Sequence, residues 1–257
     1  MNRAVMSCSE LVWRGIGAAL CLGLAACGAP GVREGYLDQE FSPDKLPPAV
    51  AQSLSGLDRT PVKFRRMVVT MAPQLEAHGD AGAKTDYRNS FTLIDAGNGL
   101  VQTVDQRSQN DTPTAQTYAL TYRGFLPLRS QELAPDGTAT GPVLATQSYS
   151  RIDPFEPAAR ARKEIEFDSQ AAYVQPAASS SNSKLSCKWG AVHPAADIFS
   201  KFSGDARDLE CRTFDLNGTQ VSRSRQAYLI DYGIALVTRT ETSSFKSDNK
   251  VIDVDIR

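Results

Sequence analysis

From Val62 onward the chain alternates hydrophobic and polar residues with a period of two. Val62-Lys63-Phe64-Arg65-Arg66-Met67-Val68-Val69 predicts one strand. Tyr87-Arg88-Asn89-Ser90-Phe91-Thr92-Leu93 predicts another, with Tyr87, Phe91 and Leu93 on one face. This pattern sets one sheet face on a core and the other in water, and favours antiparallel pairing. Turn residues punctuate the strands at Gly97-Asn98-Gly99, Pro135-Asp136-Gly137 and Asn217-Gly218. The last pair fits a type I′ hairpin turn, which needs positive φ at both central residues. Ile165 and Phe167 alternate with Glu164, Glu166 and Asp168, and Ile252, Val254 and Ile256 alternate with Asp253 and Asp255. The final strand is expected to pair with 234–245 across a turn at Ser247-Asp248-Asn249.

Helix is scarce in the pattern. The best candidate is 194–202, with Pro194 in the first turn, Ile198, Phe199 and Phe202 on one side, and Gly204 just beyond. The serine-rich stretch 177–183 reads as a long surface loop or a boundary between two lobes. Tyr118-Ala119-Leu120-Thr121-Tyr122 echoes Tyr228-Leu229-Ile230-Asp231-Tyr232, which raises the possibility of two related halves. The expected fold is all-β, mainly antiparallel, either a curved open sheet or a two-lobed sandwich, with one short helix.

The N-terminus changes this picture. Arg3 and Arg14 precede an apolar run that ends in Leu24-Ala25-Ala26-Cys27. The run is shorter than the roughly 20 apolar residues of a spanning helix but suits a signal peptide. This segment resembles the signal peptide and lipobox of bacterial lipoprotein precursors. The resemblance implies cleavage before Cys27, diacylation and then N-acylation of that cysteine, and membrane attachment through the lipid. Gly28, rather than aspartate, at the next position implies sorting to the outer membrane, with the body facing the periplasm. The domain expectation is therefore a signal peptide over 1–26, a lipidated cysteine with a Pro/Gly-rich tether over 27–60, and a β-rich domain over 61–257. Within the tether, 48–57 can form a short helix bearing Val50, Leu54 and Leu57. That helical part reads equally as stalk or as a segment packed on the body.

Five cysteines are present. Cys8 and Cys21 belong to the signal peptide and Cys27 to the lipid, which leaves Cys187 and Cys211 as an expected disulfide in an oxidising compartment. Two buried free thiols are the alternative. Two cysteines alone lack the ligand set of a closed zinc site, and no metal or cofactor motif stands in the sequence.

The net charge of −1, with both signs interspersed, argues against a nucleic-acid partner. A catalytic reading has two histidines to work with. His78 lies near Asp80 in a glycine-rich loop, and His193 has Asp197 or Asp205 as an orienting partner. Glu164 with Glu166, and Asp253 with Asp255, share strand faces but fit solvent-facing positions. Asp215-Leu216-Asn217-Gly218 resembles part of a calcium loop without its remaining ligands. Arg212, Arg223 and Arg225 form a small basic face that reads mainly as a solvated strand surface. No nucleophile elbow, metal helix or phosphate loop appears.

The function expected is a non-catalytic binding or assembly module of the envelope, with an envelope protein as a further possible partner. One alternative is a lipid or lipoprotein carrier, since a curved sheet with a short lid resembles in outline the half-barrel of the outer-membrane lipoprotein receptor. The other is a hydrolase of cell wall or polysaccharide.

Overall fold

The computed structural model describes residues 34–77, 86–155, 164–174 and 180–257. Two short helices come first, α1 (Glu34–Glu40) and α2 (Pro48–Leu54), separated by a 3-10 turn over Pro43–Lys45. Among the described residues twelve strands follow. They are β1 (Arg66–Ala77), β2 (Tyr87–Gly97), β3 (Leu100–Gln109), β4 (Thr112–Tyr122), β5 (Leu126–Leu133) and β6 (Leu144–Ile152). The second six are β7 (Glu164–Tyr173), β8 (Ser180–Pro194), β9 (Asp205–Phe214), β10 (Gln220–Leu229), β11 (Ile234–Thr242) and β12 (Phe245–Ile256).

Each strand pairs antiparallel with its neighbour in the chain, and β1 pairs with both β2 and β12, so the meander closes into a barrel. This corrects the expected curved open sheet or two-lobed sandwich, although all-β and antiparallel both hold. Closure comes from the long β1–β12 ladder, which runs from Met67↔Ile256 to Ala77↔Phe245. It gives both terminal strands partners for edge groups that would otherwise face solvent.

Two apolar clusters lie on opposite faces of the same strands. Leu100, Tyr228 and Ala235 belong to the first, while their chain neighbours Val101, Leu229, Ile234 and Leu236 belong to the second. Successive side chains of a strand point to opposite sides, so β3, β10 and β11 are buried on both faces near these residues. On β5, Gln131 and Leu133 are buried and Glu132 is exposed; on β12, Val251 and Val254 are buried while Ile252, Asp253 and Asp255 are exposed. The expectation of one wet face thus holds at the end of β5, fails for the strands between the two clusters, and is corrected on β12, where a register shift opposite Thr70/Met71 leaves Ile252 exposed instead of on the face of Val254.

The first cluster joins strands on opposite sides of the ring. Phe155, just after β6, lies 6.0 Å from the ring of Tyr122 on β4, 5.1 Å from Tyr228 on β10 and 5.1 Å from Trp189 on β8. At the same end, the turn after β4 meets the turn after β10: Arg123 donates to Gly233 O, and the Ala235 N–H donates to Arg123 O. The two tyrosine segments that echo each other in sequence therefore converge in space.

Of the expected tether, the part from Glu34 onward packs; packing was an open alternative only for 48–57, and the helix α1 was not expected. Leu37, Phe41, Val50, Leu54 and Leu57 are all buried in the first cluster. Phe41 and Tyr36 contact Tyr118, Arg129 donates to Glu40 O, and Tyr122 Oη donates to Asp58 O. Pro48 in the first turn of α2 sits where the missing N–H has no helical partner to lose. Residues 27–33 of the expected tether, with Cys27 itself and the signal peptide 1–26, lie outside the described residues.

Several local expectations need correction. The predicted helix at 194–202 is only a 3-10 turn over Ala195–Asp197. Strand β8 runs to Pro194, paired with Asp205, and the Ala195 N–H donates to Gly204 O, which closes the connection as a loop. Ile198, Phe199 and Phe202 still pack, but on the second cluster. Of the serine-rich stretch, 180–183 is the start of β8 rather than loop, and 177–179 lies outside the described residues. Ser247, Asp248 and Asn249 are interior to β12, and the chain turns between Thr242 and Phe245. The Asn217-Gly218 turn exists, but only Gly218 has positive φ, at 77°. Asp215 carboxylate Oδ1 accepts the N–H groups of Asn217 and Thr219 and holds that turn instead.

Candidate functional site

Strands β6, β7 and β8, with the turn after β9, enclose a cleft of about 630 Å³. Cross-strand register explains its lining. Ser148 pairs with Gln170 and Gln170 with Asn182, while Asp168 pairs with Lys184 and Lys184 with Phe214. Residues directly opposite in adjacent strands point to the same face, so two rows run side by side across the sheet. Register shifts between Thr146 and Ser148 and between Tyr149 and Arg151 interrupt the β6–β7 ladder. Such bulges bend a sheet and increase its twist. The Asp215-Leu216-Asn217-Gly218 turn stands at the far side, with Leu216 72% exposed.

Ser148, Gln170 and Asn182 supply hydroxyl and amide groups on the face that also carries Asp168, Lys184 and Phe214, with Asp215 and Leu216 at its side. Ser169 and Ser183 are hydrogen-bonded to each other at 3.1 Å. Lys184 Nζ lies 2.7 Å from Glu166, which also pairs with Arg151. The hydrogen bond to Glu166 holds the Lys184 ammonium above the usual lysine range. Asp168 Oδ1 is buried and has no hydrogen-bond partner.

Of these residues only Glu166, alongside Glu164, and the Asp215-Leu216-Asn217-Gly218 turn drew attention in the sequence; the serines and amides drew none as a site. Their polar side chains occupy alternate positions of ordinary strands, and only the pairing of three strands brings them together. The run Ser180-Ser181-Asn182-Ser183 was the visible trace, and its composition suggested loop.

The residues singled out in the sequence fall elsewhere. Cys187 and Cys211 are paired across β8 and β9 and joined by a disulfide, as expected, with both side chains buried. His193 lies 3.7 Å from Asp197 and 3.4 Å from Asp208. Asp197 was one of the two expected partners; Asp208, the nearer, was not foreseen, and Asp205 instead pairs in the ladder with Pro194. His78 and Asp80 lie outside the described residues. Glu164 accepts from Ser186, so it and Glu166 have separate structural partners. Asp253 binds Lys201 and Asp255 binds Arg257. Arg212 and Arg223 both reach Glu210, at 3.3 and 2.9 Å. Their hydrogen bonds, that of Arg223 foremost, hold its carboxyl below the usual range. Glu210 thereby offsets one of the three charges of that face. Among the described residues no group of three His, Cys, Asp or Glu side chains is arranged to hold a metal ion.

No protein-family model and no curated protein matches this chain. Among solved structures it is similar to a β-barrel-like protein of domain of unknown function DUF1849 from Brucella abortus. The match has a TM-score of 0.46 and 9% sequence identity, and covers 76% of this chain and 99% of that one.

Proposed function

We propose that the protein is a lipoprotein of the cell envelope, anchored through Cys27 at the outer membrane, whose periplasm-facing barrel is a non-catalytic binding module. The address is supported by Leu24-Ala25-Ala26-Cys27 and Gly28. The Cys187–Cys211 disulfide is in keeping with an oxidising compartment.

The observation that carries the binding reading is the cleft over β6, β7 and β8. Its volume falls within the roughly 300–1,000 Å³ of small-molecule sites. Its serines lack a neighbouring histidine among the lining residues, and its lysine is committed to Glu166. Nucleophilic catalysis needs a nucleophile and a base within hydrogen-bond reach, and the lining offers binding groups instead.

Fractionation of cells producing the native protein and the Cys27→Ser variant tests the address. The native protein should sediment with outer membranes and carry fatty acid on its N-terminal cysteine, and the variant should not. Recovery of both forms in the soluble periplasm would refute the anchor.

A further inference from the structure

The ends of β1, β2, β3 and β12 meet α1 around a second cleft, of about 540 Å³, which shares no lining residue with the cleft over β6, β7 and β8. Its wall on the sheet is a cross-strand row. Arg66 and Arg257 exchange backbone hydrogen bonds, Arg66 pairs with Ile94, and Ile94 pairs with Gln102. Residues directly opposite in adjacent strands point to the same face. The Arg66 and Arg257 side chains therefore stand side by side, on the face where Ile94 and Leu37 of α1 join the first cluster. Leu37 and Asp38 line the cleft from the helix, and Gln102 Nε2 donates to Phe41 O just beyond it. Arg65 and Asp95 complete the lining.

We infer that this cleft binds a ligand carrying a phosphate and an ammonium group together, of the phosphoethanolamine class. Adjacent guanidinium groups suit phosphate, whose oxygens they meet with parallel N–H donors. A multiply charged anion fits less well, because the three arginines meet three carboxylates: Asp38 and Asp95 in the lining, and Asp255, 2.7 Å from Arg257. Asp95 Oδ1 already accepts the Gly97 N–H, and the main-chain O of Arg257 accepts from Arg65 and Arg66. Asp38 is exposed on α1 and makes no ion pair among the described residues, so it is the carboxylate open to the ammonium. Two sources present this chemistry, a membrane phospholipid and a free headgroup ester. Cys27 and Glu34 are separated by at most about 25 Å of extended chain, so the proposed anchor would keep α1 close to phospholipid headgroups.

Calorimetric titration of the full-length processed protein in nonionic detergent tests this with four probes: glycerophosphoethanolamine, dimethyl phosphate, ethanolamine and dihexanoylphosphatidylethanolamine. Saturable binding of glycerophosphoethanolamine is expected, about tenfold or more tighter than that of dimethyl phosphate or ethanolamine. Arg66→Gln combined with Arg257→Gln should weaken it by about tenfold or more. Asp38→Asn should weaken it several-fold and leave dimethyl phosphate unaffected, a split that general loss of structure does not produce. Tighter binding of the short-chain lipid than of glycerophosphoethanolamine would support the membrane as the source, and equal binding the free ester. Three outcomes would overturn the inference: no binding of either phosphoethanolamine probe at millimolar concentration, dimethyl phosphate binding as tightly as glycerophosphoethanolamine, or indifference of binding to both Arg257→Gln and Asp38→Asn. Membrane fractionation and the cleft over β6, β7 and β8 would be unaffected by that failure, so the envelope and binding-module readings are judged separately.

Discussion

Among the described residues Arg123 is a heavily committed polar side chain, with four hydrogen bonds from its guanidinium. It is 2% exposed, with a positive φ of 53° in the turn after β4. Its guanidinium donates to Gly233 O, Asp58 O, Asp58 Oδ2 and Thr60 O, binding the chain entering β1 to the turn after β10. Removal leaves several carbonyls without donors, so Arg123→Met should cost about 3–5 kcal/mol. Asp58→Asn should cost about 1 kcal/mol or less, because Asp58 is 42% exposed. Denaturant midpoints at constant slope would read both, and equal losses would refute the assignment of the role to the carbonyls. Asp105 makes a prediction of the opposite sense. Burial raises its carboxyl pKa to about 6, against the partial opposition of Arg107. The folded state therefore keeps a proton that the unfolded chain releases near pH 4. The associated stability is present below that point and is lost as pH rises through about 6. A two-unit shift corresponds to roughly 2.7 kcal/mol at most. With the side chain 21% exposed, a gain of about 1 kcal/mol is expected for Asp105→Asn at pH 7 and none at pH 4, read as a thermal midpoint at each pH.

At the scale of elements, the disulfide makes the plainest prediction. Cys187 and Cys211 join β8 to β9, with a sequence separation of 24, and closing such a loop restricts the unfolded chain by roughly 3 kcal/mol. The Cys187→Ala, Cys211→Ala double variant should therefore melt well below the native protein. Reductant should lower the native midpoint towards the variant's and leave the variant unchanged; a variant as sensitive to reductant as the native protein would contradict this. This pair was legible because cysteine bookkeeping is independent of strand order. Ile165 and Phe167 were legible too, since strict alternation with carboxylates leaves only one burial pattern. The segment 194–202 misled because Ile198, Phe199 and Phe202 have helical spacing. What decides the local structure there is a long-range ladder, Val192↔Arg207 through Pro194↔Asp205, which no local pattern contains. The cleft was illegible for the same reason. Gln170 and Asn182 become neighbours only when β7 pairs with β8.

At the scale of the molecule, closure could not be read from the sequence, yet its consequence was written there. Contiguous buried runs, Leu100-Val101-Gln102 on β3 and Ala227-Tyr228-Leu229 on β10, break the period of two where two cores meet on one strand. Such runs mark strands covered on both faces. The ring is also uneven. β5 and β6 pair only at Arg129↔Ala145 and Ser130↔Leu144, and β11 and β12 only from Arg239↔Asp248 to Glu241↔Lys246. Beyond that point the β12 edge facing β11 lacks a strand partner, and Lys201 from the β8–β9 connection takes over, donating to Val254 O and Asp253. Local opening starts where backbone bonds are few and exposed. Hydrogen exchange should therefore find β6 and the first half of β11, 234–238, least protected for their burial, and the disulfide-joined β8 and β9 most protected. Lys201→Met should speed exchange in 250–256 and leave β8 and β9 near native rates. Uniform protection around the ring would show that the seams do not govern opening, and that the two cores, rather than the ladders, set the cooperative unit.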